Sequence, residues 1–534
     1  MTAVLAAPPL HRDRRRWAWG LGGLVVLGWS LAGAGLFSGP VLNPSGLRQF
    51  GRFAAAALSP AHDAEFLRVL AEATLVTVAY AALGAALAVV LGSLGAVAVS
   101  RTTWGRRRAG WTAVRGVLAV PRGLHEAVWG LLLVNVLGLD PWVGVLAIGI
   151  PYGAVTAKVF ADLLDEVPRG GYEALLASGA GRGTAALYGL LPQAAGGLLS
   201  YSFYRLECAV RSAVVLGLIG AGGLGYQLAL SFASLRWEQV WAAVYALAAL
   251  CVLADVGGRA VRRRVAEPRS ADGSRPARDR VLVVAGLGSL ALVAWSWWFL
   301  ALSPATLTSA RTVDQLSYVL DAAWPPATEG DLLTAIGSAA VDTVQMSVIA
   351  IAVATAGAVL LSGVAARRPG TGPARWAAGL AVRLILLLLR AVPPPVWALV
   401  LLFVLLPGVL PGALALGVYA LGVLGRLVAE ASEEVDGRPR AALRASGAPP
   451  LGAWLYGVLP ALGGPVLALA LYRWEVAIRD TVLVGLLGAG GIGVLLSGRI
   501  AAFDWAAVTT VLAAIVLLTL AVDLVSERAR AALR

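Results

Sequence analysis

Twelve apolar runs decide what this 534-residue chain can fold into. They lie at roughly 17–37, 69–99, 113–138, 142–164, 188–210, 236–257, 281–302, 333–364, 378–408, 412–431, 455–477 and 503–525. Each can cover the ~30 Å hydrocarbon layer, which takes about 20 helical residues. Backbone amides in lipid must be satisfied within their own segment, so the runs read as helices and the fold as all-α and polytopic. Composition agrees. Hydrophobic residues make up 59% of the chain, and mean hydropathy is +0.79. Soluble chains sit at roughly 45–50% apolar. A secreted disulfide scaffold, a disordered chain and an ordinary cytosolic enzyme are excluded.

The charge pattern gives an orientation. The formal charge is +13, and Lys158 is the single lysine. Arginines cluster between apolar runs rather than forming a nucleic-acid surface. Arg101, Arg106, Arg107, Arg108 and Arg115 fall on the same side as Arg14, Arg15 and Arg16. So do the arginines of 257–280, then Arg367, Arg368, Arg375, Arg528, Arg530 and Arg534. The opposite side carries segments such as 303–332, with Asp314, Asp321, Glu329 and Asp331 against Arg311. The excess of arginine predicts both termini in the cytoplasm. The first run lacks a small-residue cleavage site and reads as a retained helix, not a leader.

The second half repeats the first. Ala177-Ser178-Gly179-Ala180 recurs as Ala445-Ser446-Gly447-Ala448, and Tyr188-Gly189-Leu190-Leu191-Pro192 as Tyr456-Gly457-Val458-Leu459-Pro460. The same spacing of 268 relates Arg115 to Arg383, Arg122 to Arg390, Trp129 to Trp397, Lys158 to Arg426 and Asp255 to Asp523. Six spans per copy is even, so both copies enter the membrane in the same sense, as parallel repeats. The predicted organisation is a first repeat at 1–256 with its core at about 66–256, a basic cytoplasmic linker at 257–280, and a second repeat at 281–534 with its core at about 333–525.

Between the fourth and fifth spans of each half lies a short Ala/Leu helix bounded by Pro and Gly. It contains Glu173, Ala174 and Gly179 in half one, and Ala441, Ala442 and Gly447 in half two. A Leu-Pro pair follows about twelve residues later and opens the next span. This Glu-Ala-x-x-x-x-Gly pattern resembles the coupling loop of ABC-importer permeases, which in that family docks into a groove on a cytoplasmic ATPase.

Two glycine clusters, Gly220-Ala221-Gly222-Gly223-Leu224-Gly225 and Gly488-Ala489-Gly490-Gly491-Ile492-Gly493, match GxGxxG. A dinucleotide site needs a βαβ setting, which spans on either side do not provide. The glycines are expected instead to allow a close-packed or re-entrant segment lining a cavity. A Walker A motif needs Gly-Lys-Ser/Thr, and Lys158 follows Ala157, so no such motif exists. Cys208 and Cys251 read as small buried hydrophobes. His11, His62 and His125 are far apart in sequence and suggest no metal site.

Upstream of each glycine cluster stands Tyr-Arg-x-Glu-x-x-x-Arg, with Arg205, Glu207 and Arg211 in one copy and Arg473, Glu475 and Arg479 in the other. Glu and the second Arg are four apart and share a helix face. Ionisable groups in a span are costly unless paired or facing water, and so are functional candidates. They read either as a structural pair that positions a gate or, together with Arg122 and Arg390, as the lining of an anion path.

With these elements in order, most of each half resembles phosphonate-type ABC-importer permeases of the type I fold, here two fused in tandem. Arg390-Ala391-Val392-Pro393 before Val396-Trp397, and the pair Glu433-Glu434, add to the likeness. The resemblance implies a transport subunit rather than an enzyme. It implies import of a phosphonate, phosphite or phosphate. It also implies two cytoplasmic ATP-binding subunits that hold the ATP and magnesium, an extracytoplasmic substrate-binding protein, and no cofactor or nucleic acid on this chain. The alternative is a twelve-span secondary transporter of a small anion coupled to an ion gradient. Departures from the family pattern are one-sided: Arg122-Gly123-Leu124-His125-Glu126 lacks the family's proline, Pro394 replaces its glutamate in half two, and Ala441 replaces Glu173.

Overall fold

The computed structural model describes residues 14–37, 40–101, 108–266, 280–367 and 372–533. Among them the chain is helical throughout, and the single β-bridge joins Leu42 to Leu405. Among the described residues, eight helices are long and apolar enough to cross a membrane, or up to eleven if each of three bent helix pairs counts as one span.

Each half is built on a pair of tightly packed helices, Ala64–Val99 against Trp142–Glu166 and Gly330–Ala365 against Val409–Glu434. Lipid is as apolar as leucine, so close van der Waals approach must hold such pairs together. Small residues permit it. A Cβ on Gly84 would stand 2.7 Å from Ile148, and one on Gly144 would stand 2.6 Å from the Tyr80 ring. Asp63 starts the first of these helices by accepting the Phe66 N–H at 2.8 Å.

The third run of each half is not a straight span. In half one it divides into Arg108–Val117, Ala119–Gly123 and Glu126–Leu137, with a bend of 83° before Glu126. In half two it divides into Pro373–Ala391 and Pro394–Val404, bent by 96°. The causes differ. Half two has Pro393-Pro394-Pro395, and the residue before a proline is pushed out of the helical region. Half one has no proline there. His125 caps the new helix instead, its Nδ1 accepting the Ala127 N–H at 3.1 Å.

The fifth spans, Leu191–Leu216 and Leu459–Gly485, run into the glycine clusters. Gly220, Gly222 and Gly223 have φ of 103°, 93° and 76°, and Gly488, Gly490 and Gly491 of 89°, 92° and 75°. L side chains rarely adopt these values. The chain turns back into short helices, Gly223–Ala233 and Ile492–Ala501. The Leu224 and Ile492 N–H groups are held by Thr77 and Thr343 hydroxyls at 2.8 and 2.9 Å. The close-packed turn expected from the glycines is therefore present. A Cβ on Gly225 or Gly493 would lie 1.8 or 2.1 Å from a carbonyl of the preceding long helix.

The halves interlock. Helix Arg14–Gly33 packs on Gly330–Ala365 of the second half, and helix Arg280–Phe299 packs on Ala64–Val99 of the first. Val392, Val396 and Val400 of half two join Trp237, Val240 and Val244 of half one in one cluster. Leu124 and Val128 reciprocally join Val508, Val511 and Ile515. Helix Trp237–Ala266 continues through Gly257 and Gly258, so the first ten residues assigned to the linker are helical. The linker's residues 267–279 lie outside the described residues.

Candidate functional site

A chain of polar contacts crosses the seam between the halves partway along the two fifth-span helices. Arg205 lies with Cζ 4.9 Å from the Tyr152 ring centre, a cation–π arrangement, and is hydrogen-bonded to Tyr201. Tyr152 Oη is 2.6 Å from Ser212 Oγ. Ser212 donates to Glu126 at 2.5 Å. Next to Glu126 is His125, whose Nε2 lies 3.7 Å from Asp480 of the other half. Asp480 is 3.9 Å from Arg473, on its own helix. Arg473 stacks on Tyr419 at 5.1 Å, and Tyr419 accepts from Arg211 of the first half at 3.3 Å. The contacts thus run from one half to the other and back.

The repeat explains the arrangement. Arg205 and Arg473 are equivalent positions, as are Ser212 and Asp480. Tyr152 and Tyr419 differ by one position from strict equivalence yet stack on equivalent arginines. His125 and Glu126 correspond to Pro393 and Pro394, so this part of the site is one-sided. Side chains of His125, Glu126 and Asp480 are only 9%, 13% and 14% exposed.

A second layer lies toward the C-terminal ends of the last spans. Asp255, 4% exposed, binds Arg390 at 3.4 Å and Arg426 at 3.6 Å across the seam, and Arg259 at 2.9 Å on its own helix. Its equivalent, Asp523, sits in the field of Arg479, Arg122 and Lys158. Arg479 also donates to the Arg122 carbonyl at 3.1 Å, again across the seam.

The helical spacing suggested pairs Glu207–Arg211 and Glu475–Arg479. The geometry differs: Glu207 faces Arg262 at 3.5 Å, and Glu475 binds Arg530 at 2.5 Å. The last span of each half passes close enough to capture the glutamate, which frees Arg211 and Arg479 for cross-seam contacts. Among the residues singled out from sequence, Arg205, Arg211 and Arg473 are linked through the first layer; in the second, Arg390 joins the Asp255 cluster, and Arg122 and Arg479 join that of Asp523. Glu207 and Glu475 bind the last spans. The glycines lie beyond, at the far ends of the long helices.

The short helices between the fourth and fifth spans are Gly170–Ala177 and Arg438–Ala445. Each ends in a left-handed glycine, Gly179 at φ 90° and Gly447 at φ 87°. The Ala180 and Ala448 N–H groups reach back to the Leu175 and Leu443 carbonyls at 3.0 and 2.9 Å, a Schellman-type end. Glu173, Ala174, Ala441 and Ala442 are exposed. The next helical segment leans on each at Gly189 and Gly457, where a Cβ would come within 2.9 Å of the Tyr172 or Arg440 backbone. Arg438 binds Asp436 at 2.7 Å and holds its carboxyl below the usual carboxylate range. Half two is therefore basic here, with Arg438, Arg440 and Arg444, where half one has Glu173.

Comparison with known proteins places this architecture. The sequence profile described as binding-protein-dependent transport system inner membrane component matches residues 88–267 and again 358–534. The chain belongs to this family. As a permease it contains the family unit twice. It is 30% identical over 390 residues to the phosphate-import permease protein PhnE of Mycolicibacterium smegmatis, covering 72% of this chain and 70% of the relative. It is 37% identical over 183 residues to the phosphite transport system permease protein PtxC of Stutzerimonas stutzeri, covering 34% of this permease and 66% of that one. A putative cryptic phosphonate transport system permease protein of Escherichia coli matches at 38% identity over 117 residues, which is 22% of this chain and 96% of the relative. No solved structure matches the chain.

Histidine 125 and Asp480 were not singled out from the sequence as site residues. The available signal was the break in the repeat: where half two has Pro393-Pro394, half one has a titratable pair, and where half one has Ser212, half two has an acid.

Proposed function

We propose that this chain is the whole membrane-spanning part of an ABC importer for a small phosphorus oxyanion: a phosphonate, phosphite or phosphate. The observation that carries the reading is the arginine-bearing polar seam between two family units, in a chain whose relatives are named for phosphate, phosphite and phosphonate transport. An extracytoplasmic binding protein delivers the anion to the end marked by the glycine turns. Helices Gly170–Ala177 and Arg438–Ala445 dock on two cytoplasmic ATP-binding subunits, which supply ATP and magnesium. Both termini lie in the cytoplasm, as the arginine bias supports.

In this reading the seam works as follows. Arg205, Arg211 and Arg473 supply positive charge in a setting of low dielectric, where it attracts an anion strongly. Aromatic stacking on Tyr152 and Tyr419 orients two of these guanidinium groups. The Asp255 and Asp523 clusters hold the cytoplasmic side of the seam together. Movement of the docked short helices is transmitted through Gly189 and Gly457, whose backbone contacts leave little slack, into the long fifth-span helices that carry the arginines.

The test is purification from bacterial membranes in mild detergent. Co-purification of an ATP-binding subunit, lost when both short helices are deleted, supports the reading. A chain that transports without any such subunit contradicts it.

A further inference from the structure

We propose that Glu126, Asp480 and His125 make the seam selective for oxyanions that still carry a proton; this rests on the reading that a phosphorus oxyanion passes here. The first layer of the seam holds three guanidinium groups, Arg205, Arg211 and Arg473, and two carboxylates, Glu126 and Asp480. His125 Nδ1 accepts the Ala127 N–H, and its Nε2 faces Asp480. The guanidinium groups attract an anion, while carboxylates about nine-tenths buried favour one that brings a proton to them.

Hydrogen bonding points the same way. Guanidinium groups only donate and ionised carboxylates only accept. Arg473 keeps its buried Nε without a protein partner, a donor left for a ligand. An anion with no proton finds donors in the arginines but meets the carboxylates as repulsion. An anion with a P–OH group satisfies both kinds. The second proton of phosphate monoesters leaves near pH ~6, so phosphorus oxyanions retain protonated species near neutrality. Sulfate does not.

The one-sided repeat explains why two carboxylates can serve. The positions equivalent to His125 and Glu126 are Pro393 and Pro394, and the position equivalent to Asp480 is Ser212. Each acceptor occurs once, and the two meet from opposite halves. A symmetric pair of identical chains would place every acceptor twice and give four carboxylates. Fusion of two units in one chain permits the unequal set.

The full chain in lipid nanodiscs can be titrated with methylphosphonate while its 31P line width is followed. The wild type should broaden the signal. Phosphite should reverse the broadening at least ten-fold more effectively than sulfate. The variant combining Glu126→Gln and Asp480→Asn, whose amides can donate, should let sulfate compete as well as phosphite. Equal competition by sulfate in the wild type overturns the proposal whether or not the variant folds, and so does a discriminating variant. Absence of broadening by a chain that imports phosphonate overturns it too, while leaving the transport reading intact. Failure to import any phosphorus oxyanion in the complete complex would instead remove the reading on which it rests.

Discussion

The Asp255 carboxylate of the first half lies 3.4 Å from the Arg390 guanidinium of the second, and Arg426 approaches the same carboxylate at 3.6 Å. Removing one partner of a buried ion pair leaves an uncompensated charge and costs about 3–5 kcal/mol. Asp255→Ala should therefore lower the melting temperature of the purified chain clearly. Asp523→Ala should lower it less, because its lysine neighbour Lys158 replaces the Arg426 of the other cluster. Thermal unfolding in detergent checks both, and equal losses would contradict the unequal weighting of the two clusters.

Arg211 and Arg479 reach across the seam, one to Tyr419 and the other to the Arg122 carbonyl. Arg211→Ala should reduce anion uptake at least ten-fold, and Arg479→Ala should reduce it less, while the chain still assembles with its ATP-binding subunits. Uptake and subunit retention measured on the same preparation separate the outcomes. Loss of assembly would make the arginines structural, and normal uptake would remove them from the path.

The short helices are unlike in charge. Glu173 opens one near its positive end, where a carboxylate is worth roughly 0.3–1 kcal/mol, and more when desolvated at an interface. Ala441 stands at that position in the other, flanked by Arg440 and Arg444. Glu173→Ala should clearly lower the stimulation of ATP hydrolysis by loaded binding protein, and Ala441→Glu should bring no comparable gain. Unchanged stimulation in Glu173→Ala would show that half one does not dominate coupling.

If both short helices dock as proposed, one copy of this protein serves two ATP-binding subunits. Native mass spectrometry of the purified complex reads this ratio directly. A two-to-two complex would contradict it.

Much of this was legible because the sequence carries its own control, the second copy. Apolar runs located the helices, and the spacing of 268 found the short exposed helices and the glycine turns together. The bend in the third run of each half was not legible because hydropathy does not register one: Leu124-His125 and Val392-Pro393 break the helix inside an apolar run. The Glu207–Arg211 pairing failed for a different reason. Spacing along one helix is local information, whereas Arg262 arrives from a helix 55 residues away in sequence. Asp480 went unremarked although it follows Arg479, because Ser212 stands at its position in the other half and its contact with His125 comes from that half.

Uptake by the reconstituted complex tests the central claim most directly. Proteoliposomes holding this chain and its ATP-binding subunits, with loaded binding protein outside and ATP inside, should accumulate radiolabelled methylphosphonate or phosphite. Accumulation should stop when ATP is replaced by a non-hydrolysable analogue. Accumulation driven by a proton or sodium gradient in the absence of ATP would contradict the account.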